Sequence, residues 1–159
     1  MRYFILREHS DLARQLHING WRNQINPQWI CFEELYRIPH HTILSVENKK
    51  ETPLPDVITA PFLMVSEMVY KIMKMYGEGL YYRDVILGDE EKYHHYYLIL
   101  LKNAEKEKKA VESASIFYKR IENKQEVVVN LDFAESILRR GAVGIWLKEI
   151  HNTSGHKIT

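Results

Sequence analysis

Val127–Ile150, VVVNLDFAESILRRGAVGIWLKEI, decides the fold, because it writes strand, helix and strand into one short unit. Val127, Val128 and Val129 are β-branched and favour a pleated strand. Asn130 follows as a helix cap, and Phe133, Ala134, Ile137 and Leu138 then fall on one helical face. Arg139 and Arg140 occupy the last turn, where cations suit the helix dipole, and Gly141 stands where a left-handed C-cap requires glycine. Val143–Ile150 reads as the closing strand.

The same order recurs earlier. In Leu63–Val85, Val65, Met68, Val69, Ile72, Met73 and Tyr76 repeat at three- and four-residue steps, with Lys71 and Lys74 on the other side. Ser66 is the candidate cap, Gly77 and Gly79 stop the helix, and Gly79-Leu80 matches Gly144-Ile145. Two units are too few for a solenoid. The expectation is an α+β fold: an antiparallel or mixed sheet of about five to seven strands with helices around Ser66–Tyr76 and Leu131–Arg140 packed on it. Val69, Ile72, Ala134, Ile137 and Leu138 are the expected core contacts.

Elsewhere the signals are shorter. Arg2–Arg7 and Thr42–Val46 read as strands. In His9–Ile38, Leu12, Leu16 and Ile18 suggest a helical turn that Gly20, Asn26 and Pro27 cut short, while Trp21, Trp29 and Phe32 indicate packing. Glu47–Pro61, with Pro53, Pro55 and Pro61, reads as a connector. Leu80–Leu87 and Tyr93–Leu101 form a hairpin around Gly88-Asp89-Glu90-Glu91. Ser115–Ile121 and Glu126–Val129 form another around Glu122-Asn123-Lys124-Gln125. The charged run Glu105–Lys109 is a loop or helical turn. Residues 1–150 read as a single domain and 151–159 as a polar tail.

Composition narrows the function. With 22 Lys+Arg against 21 Asp+Glu, the chain lacks the basic excess of a protein that tracks a nucleic-acid backbone. The single Cys31 permits no intramolecular disulfide and suits a reducing compartment. No apolar run is long enough to span a membrane, and Tyr3–Leu6 is too short for a signal-peptide core. The expected location is the cytoplasm.

Candidate chemistry is sparse. The eight histidines include the pairs His40-His41 and His94-His95, but neighbours in a strand point to opposite faces, and no HExxH or CxxC is present. No metal or other cofactor is expected. Cys31 with His40 or His41 can be drawn as a thiol–imidazole pair, yet a cysteine among aromatics reads as a small core residue. Ser66 lacks a GxSxG context. Gly77-Glu78-Gly79 follows a helix instead of opening one, so it reads as a helix stop and not as a phosphate loop. Met68 and Met73 share the apolar face with Ile72 and read as core packing.

Tyrosine is the unusual enrichment, ten in all, several of them on neighbouring strands. Tyr81, Tyr82 and Tyr97 offer large contact area with polar tips, and Asp89, Glu90 and Glu91 at the hairpin tip offer steering charge. These six residues are the candidate partner-binding surface. The bland alternative is a solvated sheet face and an ordinary polar turn.

From Asp56 to Ile150 the sequence resembles a bacterial family of immunity proteins found beside polymorphic toxins, long filed as a domain of unknown function. Pro61-Phe62-Leu63, Val65-Ser66-Glu67, Gly79-Leu80 and Ile116-Phe117 carry the resemblance, together with Leu131–Gly141 and Gly144-Ile145. Tyr3–Leu6 is similar to the family's opening strand, whereas His9–Thr52 has no counterpart. The resemblance implies a non-catalytic inhibitor that binds a cognate toxin, and it carries over no catalytic residue. Two other classes compete with it. One is a small enzyme or ligand-binding domain with a site near Arg83, His95 and Tyr97; the other is a homo-oligomer built through the tyrosine-rich sheet.

Overall fold

The computed structural model describes residues 1–13, 16–48, 53–79, 81–90 and 92–151. Glu91, Leu80 and residues 152–159, which include all but the first residue of the polar tail, lie outside them. The strands are β1 (Tyr3–Glu8), β2 (Leu16–Asn19), β3 (His41–Asn48), β4 (Val57–Ile58), β5 (Met64–Ser66), β6 (Tyr82–Gly88), β7 (Tyr93–Ile99), β8 (Ile116–Ile121), β9 (Lys124–Asn130) and β10 (Ile145–Glu149). The helices are α1 (Ser10–Ala13), α2 (Glu67–Met75), α3 (Lys108–Glu112) and α4 (Leu131–Arg139).

The fold is α+β, but the strands divide between two sheets instead of sharing one. An antiparallel sheet runs β10-β1-β9-β8, and a mixed sheet runs β2-β3-β6-β7-β5-β4 with β3 and β6 parallel. The internal echo in the sequence is real in space. β5 and β6 flank α2 in the chain and lie parallel on either side of β7; β9 and β10 flank α4 and lie parallel on either side of β1. β4 and β8 each add an antiparallel strand to the same side of their unit. Each sheet therefore contains one split strand–helix–strand unit.

The two helices pack together on the main core, which contains Leu6, Val65, Val69, Ile72, Met73, Val129, Phe133, Ala134 and Ile137. The Tyr76 hydroxyl lies 2.7 Å from Ser136 Oγ and donates toward the Asp132 carbonyl at 3.1 Å, tying one helix end to the other helix. Asp56 joins the units at their rims: its carboxylate accepts the Val143 N–H at 2.6 Å and its own N–H donates to the Val143 carbonyl at 3.0 Å.

Several elements depart from the sequence expectation. Leu138 is 56% exposed. It sits about 100° round the helix from Ile137, and the stripe set by Phe133, Ala134 and Ile137 leaves it outside. Leu16 and Ile18 form β2 rather than a helical turn, because β3 supplies a ladder with Ile18 opposite Val46. Val57 and Ile58, inside the expected connector, pair with Val65 and Met64. The turn between β8 and β9 is tighter than four residues: Glu122 and Asn123 alone make it, both at positive φ, as a two-residue hairpin requires. The charged run continues into α3, one turn further along than expected.

Trp21–Ile38 is packed against the mixed sheet. Three 3-10 turns (Trp21–Asn23, Pro27–Trp29, Leu35–Arg37) carry Ile25, Leu35 and Ile38 onto a second core against Leu44, Val85, Leu87, Tyr96 and Leu98 of the mixed sheet. Asn26 caps the second turn through the Gln28 N–H, and Arg83 pins the third by donating to the Ile38 carbonyl at 2.9 Å. One face of β3, β6 and β7 is thereby covered, and on the opposite face α2 and the main core cover only the end that holds Tyr97 and Ile99.

Candidate functional site

Alternation along β3, β6 and β7 sorts the side chains of this sheet. Thr42, Leu44, Val46, Val85, Leu87, Tyr96 and Leu98 point into the second core and are buried. His41, Ile43 and Ser45 point the other way, as do Tyr82, Asp84 and Ile86 and, opposite them, Tyr93, His95 and Tyr97. Ile43 is 61% exposed and Tyr93 76%.

At the centre of this outward face stands Asp84. His95 donates from Nε2 to its Oδ1 at 2.7 Å, and His41 Nδ1 lies 3.7 Å from Oδ2, an ion-pair distance once that ring is protonated. The bond from Nε2 leaves His95 Nδ1 as the ring's acceptor in the neutral state. Next to it, His95 and Tyr97 have ring centroids 4.5 Å apart. Tyr97 stacks on Tyr70 of α2 at 3.9 Å, and Tyr82 closes the cluster at 5.1 Å from Tyr70 and 5.6 Å from Tyr97. Burial, and then a bond to Tyr82, pushes the Tyr70 phenol up to about 12. Burial, and then the nearby Glu67 and Asp84 carboxylates, pushes Tyr97 up as well. Both phenols are therefore neutral hydrogen-bonding groups at neutral pH.

The hairpin tip closes the other end of the face. Asp89 accepts the Lys92 N–H at 2.8 Å, donates its own N–H to the Lys92 carbonyl at 3.0 Å, and approaches His94 Nε2 at 3.4 Å. A shallow depression of about 440 Å³ beside the tip is lined by Asn19, Asn23, Ile43, Ser45, Asp89 and Tyr93. The Tyr93 ring rests on Gly88, where a Cβ would come within 3.2 Å of it.

The six expected partner-binding residues do not form one patch. Tyr82 and Tyr97 meet, but Tyr81 has the opposite alternation and packs its ring on Phe32 at 4.9 Å. Asp89 and the exposed Glu90 sit seven and eight residues from Tyr82, just past the end of β6, and so roughly 20 Å or more away. Glu91 lies outside the described residues. The tip joins Tyr93 and Ile43 instead. In the alternative set, His95 and Tyr97 are adjacent, whereas Arg83 points to the covered face and bonds the Ile38 and Tyr82 carbonyls. Asp84 holds the place that Arg83 was expected to hold. Period-two alternation from Tyr82 and Tyr93 carries that signal; the contribution of β3 has none.

Other candidates resolve locally. Ser66 Oγ accepts the Val69 N–H as a cap, and Cys31 Sγ donates to the Gln28 carbonyl at 3.6 Å. Gly77 and Gly79 both have positive φ, and Glu78 between them accepts the Ser115 N–H at 3.1 Å. Among the described residues, no group of three or more His, Cys, Asp or Glu side chains is arranged to hold a metal ion. No helix among them is long and apolar enough to cross a membrane. No family model and no curated protein matches the chain.

Proposed function

We propose that the chain is a non-catalytic immunity protein that neutralises a cognate bacterial toxin by direct binding, with the outward face of β3, β6 and β7 as its contact surface. The observation that carries this reading is the asymmetry of that sheet. One side packs Leu44, Val46, Val85, Leu87, Tyr96 and Leu98 into a core, while the other presents Ile43, Tyr82 and Tyr93 to solvent. Large exposed side chains on an ordered scaffold are the usual anchors of a protein interface. The resemblance of the α4 unit to immunity proteins supports the same reading.

Charge suggests the partner's character. The outward residues of β3, β6 and β7 include no Lys or Arg, and Asp84, with Asp89 beside Ile43 and Tyr93 at the hairpin end, gives the face an acidic cast. Such a face suits a basic partner surface, as a toxin that attacks nucleic acid would offer. On this reading the chain acts in the cytoplasm, carries no cofactor and touches neither nucleic acid nor membrane. Co-expression with the toxin domain encoded beside its gene, scored for growth, tests it: rescue together with a complex that survives purification supports the reading, and no rescue refutes it.

The Asp84–His95 bond favours a second reading, a small enzyme or ligand-binding domain acting through His95 and Tyr97. A carboxylate-oriented imidazole is the arrangement general-base chemistry uses. The dose of protein separates the two. An inhibitor protects stoichiometrically, whereas an enzyme that destroys the toxin or its product protects at substoichiometric levels.

A further inference from the structure

The two split units are equivalent, but their edges are not. In the first unit the far edge of β6 carries β3, in register from His41 opposite Asp84 to Ser45 opposite Gly88. The matching edge in the second unit is the far side of β10, and no strand among the described residues pairs with it. The bonds Ile150 N–H to Tyr3 O (2.9 Å) and His9 N–H to Gly144 O (2.7 Å) fix the alternation of this ladder. Gly144, Trp146, Lys148 and Ile150 turn their backbone groups toward β1, so Ile145, Leu147 and Glu149 turn theirs to the open edge.

Two of the other edges are managed. On β8, Tyr118 exchanges backbone bonds with Lys102 and Ala104, and Glu105 accepts the Arg120 N–H. β4 is only two residues long, and its flanks are held by Glu8 and Val143. β2 is the remaining edge strand of the mixed sheet. β10, with five residues and no proline, is a template for another strand.

We infer that β10 pairs antiparallel with β10 of a second copy of this chain, about a two-fold axis at Leu147, making one continuous sheet with four strands from each copy. The strand is self-complementary in that register. Ile145 meets Glu149 of the second copy, Leu147 meets Leu147, and Glu149 meets Ile145, so every outward N–H and C=O finds its partner. The apolar row that runs from buried Leu6 to Leu147 continues into Leu147 and Leu6 of the second copy. On the opposite face, Lys148 comes beside Trp146 of the other copy, a ring that already carries the Arg7 guanidinium at 5.1 Å. Sliding two residues one way sets Lys148 against Lys148; sliding the other way leaves Glu149 without its mate within the strand. Like charges directly opposite are unfavourable.

Sedimentation velocity on the full chain across a concentration series, paired with amide hydrogen exchange, tests the inference without reference to any toxin. The expected result is a monomer–dimer equilibrium, with exchange at Ile145, Leu147 and Glu149 slowing as the dimer forms. Leu147→Pro removes an N–H that β1 does not use, so it leaves the ladder within the chain intact and abolishes the dimer. Leu147→Lys sets two like charges at the axis and weakens association about tenfold or more. A chain that stays monomeric throughout, or a dimer that both variants retain with unprotected edge amides, overturns the inference.

Discussion

Ser66 and Asn130 hold the same place in two copies of one motif. Ser66 Oγ accepts the Val69 N–H at 3.4 Å and Asn130 Oδ1 accepts the Phe133 N–H at 2.9 Å, each opening a nine-residue helix that ends at a glycine of positive φ. Replacing either cap with Ala is expected to cost about 1 kcal/mol in urea unfolding. The longer bond at Ser66 makes it the smaller loss of the two. Equal stability of Asn130→Ala and the wild type would remove the cap from the account.

Ile137 and Leu138 separate core from surface one residue apart. Ile137 is fully buried between helix and sheet, so Ile137→Ala is expected to cost roughly 2–5 kcal/mol through lost burial and the cavity left behind. Leu138→Ala should stay within about 0.5 kcal/mol of wild type, as exposed positions do. The two urea midpoints, measured side by side, check the stripe assigned to α4.

Gly141 has φ +75°, and a Cβ built there meets nothing within 4 Å. The whole penalty of Gly141→Ala is therefore backbone strain in the left-handed region, about 1–2 kcal/mol, with no packing contribution. Gly141→Asn, which tolerates that conformation better, should recover part of the loss. Identical stability of Ala and Gly at this position would contradict the C-cap.

These helices were legible because caps, stripes and stop glycines are local. What escaped was set by pairing between distant segments. Leu16–Asn19 becomes a strand only because β3 offers it an edge, and Val57–Ile58 only because β5 does. The division into two sheets follows from β1, the first strand of the chain, inserting between β9 and β10. The site divides the same way. The contact of Tyr82 with Tyr97 follows from the hairpin, but Asp84 lies between His95 and His41 only through the parallel pairing of β3 with β6. No signal near either residue encodes that pairing.

Alkaline pH should loosen the molecule. Burial raises the phenol pKa values of Tyr70, Tyr96, Tyr97 and Tyr118 above the ordinary value near 10, Tyr70 to about 12. A folded value above the unfolded one means that the contribution is complete below about pH 10 and is lost as pH rises through the folded value. Urea midpoints should therefore fall steeply above about pH 10, with these tyrosinates appearing only as the chain unfolds. Full tyrosine ionisation near pH 10 in a chain that stays folded would contradict the burial of these rings.

The most direct test of the proposed function is a pair of substitutions on the open sheet face, Ile43→Asp and Tyr93→Ala, carried into the co-expression assay and into binding titrations with the purified toxin domain. Both side chains are exposed, so the fold should persist, as circular dichroism would verify. The account predicts that the wild-type chain rescues growth and binds the toxin domain directly, and that each substitution weakens binding at least about tenfold and impairs rescue. Rescue and affinity unchanged by both substitutions would contradict it, placing the contact elsewhere or the protection in other chemistry.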